Sequence, residues 1–304
     1  MPCFSVIIPC YNSARWIRRC LDSVFDQGGN DFEVIAVDDG SKDGTLAILN
    51  AYGHGIKVFS QSNQGAGVAR NLAIRHAAGD YIATLDADDV WFPWTLATYR
   101  QVIAEFNQPG IVAGKPHHFK EDAELVDETV PEPAAYQHYA NFYAAAADGF
   151  WFLLNGALIV RKDVLETCGG FADQNINSED THLFMKFGMM PDFVAVTSPR
   201  LFGYRSHGTN SVYNSNRSYD GCRFLMELES KGAYPGGSAM KPIRRTMLTT
   251  HSRSASLACL KAGSFHQSWQ LYLHTFGWNL ALGRIRYLAG FPILLAMAPL
   301  KKRK

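Results

Sequence analysis

No aspartate or glutamate occurs after Glu229. The stretch beyond it holds 12 of the 29 Lys and Arg residues, so 17 bases face all 28 acids in residues 1–229, a net of −11 beneath an overall +1. An acidic body is joined to a basic tail, and such a split points to a membrane or nucleic-acid partner for the basic part. Charge is scarce, at 19% against 47% hydrophobic, which excludes a disordered chain. No apolar run reaches the ~18–20 residues of a spanning helix. The six cysteines (Cys3, Cys10, Cys20, Cys168, Cys222 and Cys259) include no CxxC pair, so they read as reduced thiols of a cytoplasmic protein. The start, MPCFSVIIPCYN, lacks a basic segment followed by an apolar core, so no signal peptide is expected. There is no internal repeat, and 304 residues suit one large domain or two smaller ones.

The first 90 residues alternate strand and helix signals. Strands are expected at 5–9 (SVIIP), 33–37 (EVIAV), 56–60 and 81–85. Helices are expected after Asn12 or Ser13, after Asp43-Gly44-Thr45 and over 65–78. This alternation predicts a parallel α/β sheet, in which ligands bind beyond the carboxyl ends of the strands. Three of those ends are polar: Cys10-Tyr11-Asn12, Asp38-Asp39-Gly40-Ser41 and Asp86-Ala87-Asp88-Asp89. Acids at successive strand ends should line one cleft. Further on, 119–133 reads as an exposed loop, 150–160 as a buried strand broken by Asn155-Gly156, and 181–187 as a helix behind Ser178-Glu179-Asp180. Beyond Asn210 the pattern is helical.

The carboxylates of Asp86-Ala87-Asp88 can hold a hard divalent cation that neutralises a diphosphate, although Asp is also common in turns. Asp38 and Asp39 can take a nucleobase N–H and position a sugar, or simply shape the turn before Gly40. Arg70 can meet a diphosphate or sit in a salt bridge. Gly65-Ala66-Gly67 is no dinucleotide fingerprint, because Arg70 stands where the third glycine belongs. Glu179 or Asp180 can act as general base, or only stabilise a helix start. His207 can complete a metal site as neutral imidazole, or be a packed histidine.

The strings SVIIPCYN, VDDGSKDGT, NQGAGVARN and GDYIATLDADD, followed by CGGF, SED and YRSHGTNS, resemble in order and spacing the family-2 glycosyltransferases of the GT-A fold. The resemblance covers roughly residues 3–212. It implies an α/β fold: a GT-A Rossmann-like, mostly parallel sheet flanked by helices, with a helical C-terminal extension outside the resemblance. Its catalytic domain would span 1–212, with a nucleotide-sugar half to about 115 and an acceptor half over 116–212. It further implies an enzyme that moves a sugar, with inversion, from a nucleotide-sugar (often a UDP-sugar) to a hydroxyl of a glycan or lipid-linked acceptor, using Mg²⁺ or Mn²⁺. By position, Pro9 and Tyr11 would line the base pocket, Asp39 would bind the base and Asp38 would sit beside it. Arg70 would lie near the diphosphate, and Asp86 would face the ribose or donor sugar. Asp88 would ligate the metal and His207 would be a further ligand. Asp180, beside Glu179, would be the base, with Asn155 and Gly156 near the acceptor. A third acid, Asp89, follows the DxD and leaves open which aspartates touch the metal. A sugar-phosphate nucleotidyltransferase would want a Gly-rich, basic loop where Tyr11-Asn12-Ser13 stands. A non-catalytic nucleotide-sugar-binding scaffold would have no need of all these acids.

The tail, residues 213–304, reads as helices ending in an apolar run, 288–300, between Arg284-Ile285-Arg286 and Lys301-Lys302-Arg303-Lys304. Thirteen apolar residues with basic flanks suit a helix lying on an anionic leaflet; the alternative is a helix packed on the catalytic domain with a solvated basic end. The tail has no nucleic-acid reading module, so nucleic acid is not the expected partner. The localisation expected is peripheral, on the cytoplasmic face of a membrane.

Overall fold

A computed structural model describes residues 3–125, 131–150, 155–211 and 214–301. The chain falls into two units, Met1–Asn175 with Glu179–His207 and Ile176–Ser178 with Gly208–Lys304. The first unit carries the strands β1 (Phe4–Cys10), β2 (Phe32–Asp38), β3 (Lys57–Ser60), β4 (Tyr81–Thr84), β5 (Val90–Trp91), β6 (Ile111–Ala113), β7 (Pro116–Phe119), β8 (Ala135–Asn141), β9 (Leu158–Arg161), β10 (Pro191–Ser198) and β11 (Phe202–Arg205). Its helices are α1 (Ile17–Phe25), α2 (Thr45–Ala51), α3 (Ala66–His76), α4 (Thr95–Glu105), α5 (Phe142–Ala147), α6 (Lys162–Cys168) and α7 (Glu179–Phe187).

The large sheet has the order β3-β2-β1-β4-β9-β6-β10-β8. The first four strands are parallel, as are β6 and β10, whereas β9 and β8 run antiparallel to their neighbours. The expected mostly parallel sheet is therefore present. Its reason is visible in β1, which is buried at every position except the half-buried Pro9. Such a strand, covered on both faces, must be apolar throughout rather than alternating. Each of its fully buried Val and Ile side chains contributes about 1.5–3 kcal/mol. The strand order reverses between β1 and β4, which opens a crevice beyond their carboxyl ends. A smaller sheet, β5-β11-β7, carries Arg205 at its edge of the crevice.

Three local expectations change. Neither Asn12 nor Ser13 caps α1, which starts at Ile17. Asn12 is left-handed, and its Oδ1 accepts the Lys42 N–H at 2.8 Å while its own N–H donates to Ser41 Oγ at 2.9 Å. The polar side chain thus ties two loops together instead of ending a helix. The strand expected over 150–160 begins only at Leu158; residues 151–154 lie outside those described, and Asn155–Ala157 form a 3-10 turn. That turn is fixed by the Trp91 indole N–H on the Gly156 carbonyl at 2.8 Å, and a Cβ at Gly156 would stand 2.1 Å from the Phe202 ring. The loop expected over 119–133 contains a buried Phe119 and an exposed 3-10 turn, Asp122–Leu125, with 126–130 outside the described residues.

The second unit is helical: α8 (Ser215–Ser230), α9 (Lys241–Ala262), α10 (Phe265–Ala281) and α11 (Ile285–Lys301). Tyr219, Cys222, Met226, Cys259 and Leu271 form one core, and Leu260, Tyr272, Leu288 and Phe291 another. Part of the terminal apolar run is therefore packed within its own unit. A buried ion pair ties α8 to α9, with Arg244 Nε 2.6 Å from Glu229 Oε2 and both side chains 1% exposed. Among the described residues, no helix is long and apolar enough to cross a membrane.

Candidate active site

Arg70 projects from α3 into the crevice as a buried guanidinium. Its Nη2 lies 2.5 Å from Asp86 Oδ1, just past β4, and its Nη1 lies 2.8 Å from Glu179 Oε1, in the first turn of α7. The Arg70–Glu179 contact spans 109 positions of the chain. Burial opposes its charge, but Asp86 and Glu179 outweigh burial and hold Arg70 above the ordinary guanidinium range. Gly67, one turn earlier, is required for this approach, because a Cβ there would meet the Ala172 carbonyl at 2.7 Å.

The acids outnumber the cation. Burial raises Asp86, helped by Asp88 and opposed by Arg70. Burial likewise raises Glu179, with Arg70 opposing and Asp180 assisting. Asp180 is raised chiefly by burial, and its Oδ1 accepts the Thr181 N–H at 2.6 Å. The Thr181 hydroxyl donates to the same oxygen at 3.3 Å. A carboxylate held above its ordinary range is a stronger base, which suits proton abstraction.

Asp88 and His207 meet directly, with Oδ2 and Nε2 2.8 Å apart. His207 also stacks on Trp16, with ring centroids 5.3 Å apart. Asp89 plays another part. It is 1% exposed, and its Oδ1 accepts the Arg205 N–H at 2.9 Å while Arg205 Nε donates to the Asp88 carbonyl at 2.9 Å. The third acid therefore fastens β11 against the Asp86–Asp89 turn and sets where His207 emerges. Its buried Oδ2 has no hydrogen-bond partner among the described residues, and burial followed by Asp88 and Asp86 raises it well above the usual carboxylate range. The Arg205 guanidinium lies over Trp16 and Phe119 at 4.6 and 4.4 Å and meets Asp122 Oδ1 at 2.6 Å.

At the β2 end, Asp39 accepts three hydrogen bonds that shape the crevice wall. Its Oδ1 accepts from Gln61 Nε2 and the Gln64 N–H at 2.8 and 2.9 Å, and its Oδ2 from the Gly65 N–H at 2.8 Å. A carboxylate has about four acceptor sites, so one remains for a ligand. Asp38 accepts weakly from Ser41 N–H and Ser60 Oγ through Oδ2, and its buried Oδ1 has no partner among the described residues. Tyr11 is 44% exposed at the end of β1, beyond the half-buried Pro9. Asn155 and Gly156 lie beside the end of β4, where the Thr84 hydroxyl donates to the Asn155 carbonyl, and Asn155 Oδ1 is buried without a partner among the described residues.

The structure thus gathers Arg70, Asp86, Glu179 and Asp180 into one network and Asp88 with His207 into a second, adjoining it along the same turn. Asp38, Asp39, Pro9 and Tyr11 stand at the ends of the neighbouring strands. Sequence reasoning misses Arg205, Gln61 and the stacking role of Trp16, which in the sequence reads as one more apolar position of the first expected helix and in the structure precedes α1. Nothing in the sequence pairs Trp16 with His207; only the fold does.

The donor set suits a divalent cation. A carboxylate oxygen beside an imidazole nitrogen is acceptable to Mn²⁺, and the oxygens of Asp86 and Asp88 to Mg²⁺. Among the described residues no group of three or more His, Cys, Asp and Glu side chains is gathered to hold a metal. A cation that also binds substrate phosphates needs only one or two protein carboxylates, so a two-residue site fits.

A family model described as "Glycosyl transferase family 2" matches residues 5–166. The chain belongs to that family. An uncharacterized glycosyltransferase of Nostoc sp. is 34% identical over 170 residues, 53% of this chain and 52% of that one. The chain therefore spans about half the length of this curated relative. Among solved structures, Staphylococcus aureus TarS 1–349 in complex with UDP-GlcNAc is similar at a TM-score of 0.56 and 18% identity, covering 93% of this chain and 92% of that one. A mannosyltransferase from Pyrobaculum calidifontis in complex with GDP-Man and Mn²⁺ is similar at 0.56 and 21%, covering 99% and 86%. At such identities these likenesses speak to the fold, which is GT-A-like as the motifs implied.

Proposed function

We propose that this family-2 protein is an inverting, metal-dependent glycosyltransferase that moves a sugar from a nucleotide-sugar, a UDP-sugar first, to a hydroxyl of a glycan or lipid-linked acceptor. The observation that carries the reading is the pairing of Asp86 and Glu179 with the buried Arg70 at the strand reversal, with Asp180 next to Glu179 and the Asp88–His207 pair on the same turn as Asp86. The catalytic domain is residues 1–212 and the basic helical extension residues 213–304.

Asp38 and Asp39, with Pro9 and Tyr11, take the nucleoside, and Asp86 faces the ribose or donor sugar. Asp88 and His207 hold Mg²⁺ or Mn²⁺, which when bound neutralises the charge that builds on the leaving diphosphate. Arg70 keeps Asp86 and Glu179 in place and adds positive charge near the same phosphates. Asp180 removes the proton of the acceptor hydroxyl, which is delivered past Asn155 and Gly156 and attacks the anomeric carbon opposite the diphosphate. The C–O bond to the diphosphate breaks as the new glycosidic bond forms, so one displacement inverts the centre. Support for the divalent ion comes from the donor set and from the similar fold solved with GDP-Man and Mn²⁺.

The extension is read as peripheral on the cytoplasmic face of a membrane. Its support is a run of exposed apolar side chains on α10 and α11. The test of the catalytic reading is release of nucleoside diphosphate from UDP-, GDP- and dTDP-sugars with and without Mn²⁺. Mn²⁺-dependent release from one of them is expected, and none from any would leave a binding scaffold instead.

A further inference from the structure

Arg253 on α9 and Arg284 and Arg286 at the start of α11 line one cavity of about 390 Å³, together with Gly283, Ile285 and Tyr287. Arg253 Nη2 and Arg284 Nη2 donate to the same Thr250 hydroxyl, at 3.2 and 3.3 Å. Their other acceptors are the Thr249 and Thr246 carbonyls and the Thr249 hydroxyl, all neutral. Two guanidinium charges are thus held side by side, and among the described residues no carboxylate pairs with either. No acid follows Glu229 in the chain; of the acids on α8, Glu227 and Glu229 pair with Lys231 and Arg244, and Asp220 lies near Cys259 of α9. Burial, and the charge of Arg253, hold Arg284 below the ordinary guanidinium range. Like charges crowded in this way are relieved by an anion, and a phosphate oxygen array matches the planar donors.

The helices on either side of the Arg284 turn carry exposed apolar side chains, and one of them, Ile285, lines the cavity. On α11 Ile285, Ile293, Leu294 and Met297 are exposed, and on α10 Leu273, Phe276 and Leu280 form an exposed stripe at helical spacing. Both sets reach the connection at 282–284 that holds Arg284. A second copy of this face would bring more arginine and no acid, so self-association would bury like charge. A lipid leaflet offers a phosphate for the cavity and an acyl layer for these apolar side chains.

Resting on the membrane reading above, we propose that this cavity binds the phosphate of an anionic lipid headgroup, held by Arg253 and Arg284 with Arg286 at the rim, while the exposed apolar side chains of α10 and α11 enter the leaflet. Flotation of the full chain with vesicles of phosphatidylcholine, with and without phosphatidylglycerol, tests it. The double variant Arg253→Gln/Arg284→Gln should lose roughly 30-fold in partitioning to the phosphatidylglycerol vesicles, and Arg286→Gln roughly fivefold. A circular-dichroism melt checks folding; if the double variant does not fold, the exposed Arg286→Gln decides alone. Equal partitioning of wild type and variants overturns the cavity and leaves the membrane reading standing. No partitioning to either vesicle overturns both. Stabilisation by inorganic phosphate in a thermal melt, without vesicle binding, means a free anion is the ligand and overturns the lipid assignment.

Discussion

The two units crowd charge of opposite sign and treat it differently. In the first, Asp86, Glu179 and Asp180 gather around one arginine, and burial raises all three acids while the arginine stays charged. In the second, Arg244 is fully matched by Glu229, yet Arg253 and Arg284 share only neutral oxygens. A closed pair such as Arg244–Glu229 holds helices in register. An open excess of one sign is what a ligand of the other sign can complete. The first unit leaves acids in excess at the end of a parallel sheet, and the second leaves arginines in excess at a helix turn.

The comparison can be broken by removing one member at a time. Asp180→Asn should lower kcat about 10³-fold, within the range for a lost general base, and leave donor binding intact in calorimetry. Full turnover in that variant would remove the base assignment. Glu229→Ala strands Arg244 without its partner and should cost the protein about 3–5 kcal/mol in denaturant unfolding. Arg70→Met should cost about 3 kcal/mol, because Asp86 keeps part of its surface in water, and should also weaken donor binding. If both losses are under about 1 kcal/mol, the contrast between closed and open clusters is wrong. Asp89→Ala frees the Arg205 N–H and should cost roughly 2 kcal/mol, with metal affinity falling because His207 is less well placed. The smallest effect is in the pH profile. Because Asp180 takes up its proton at a higher pH than an ordinary carboxylate, kcat should be full above that raised value and fall as pH drops through it. An acid limb at or below pH ~4 would mean that the base is not raised.

Much of this is legible in the sequence. Strand ends announce themselves where apolar runs such as IIPC or EVIAV stop at polar residues, because a parallel core strand leaves its polar residues to the ends. The sequence allows Arg70 a phosphate contact or a salt bridge, and the fold places it in the salt bridge. The division of labour among Asp86, Asp88 and Asp89 is not legible. All three are the same residue type, and only the position of β11, contributed more than 100 residues later, makes Asp89 a tether and turns Asp88 toward His207. Asn12 misleads for a similar reason: a residue suited to helix caps is equally suited to left-handed turns, and the Lys42 N–H decides the matter. The tail's charge split is plain, but whether its bases are paired or stranded depends on packing between α9 and the start of α11.

The most direct test of the central claim is a thermal-shift titration of UDP-, GDP- and dTDP-sugars, with and without Mn²⁺, on wild type and Asp88→Ala. A cation held by Asp88 and His207 predicts a shift for one nucleotide class in wild type that requires Mn²⁺ and disappears in Asp88→Ala. A shift that is the same with and without Mn²⁺, or unchanged in Asp88→Ala, would contradict it.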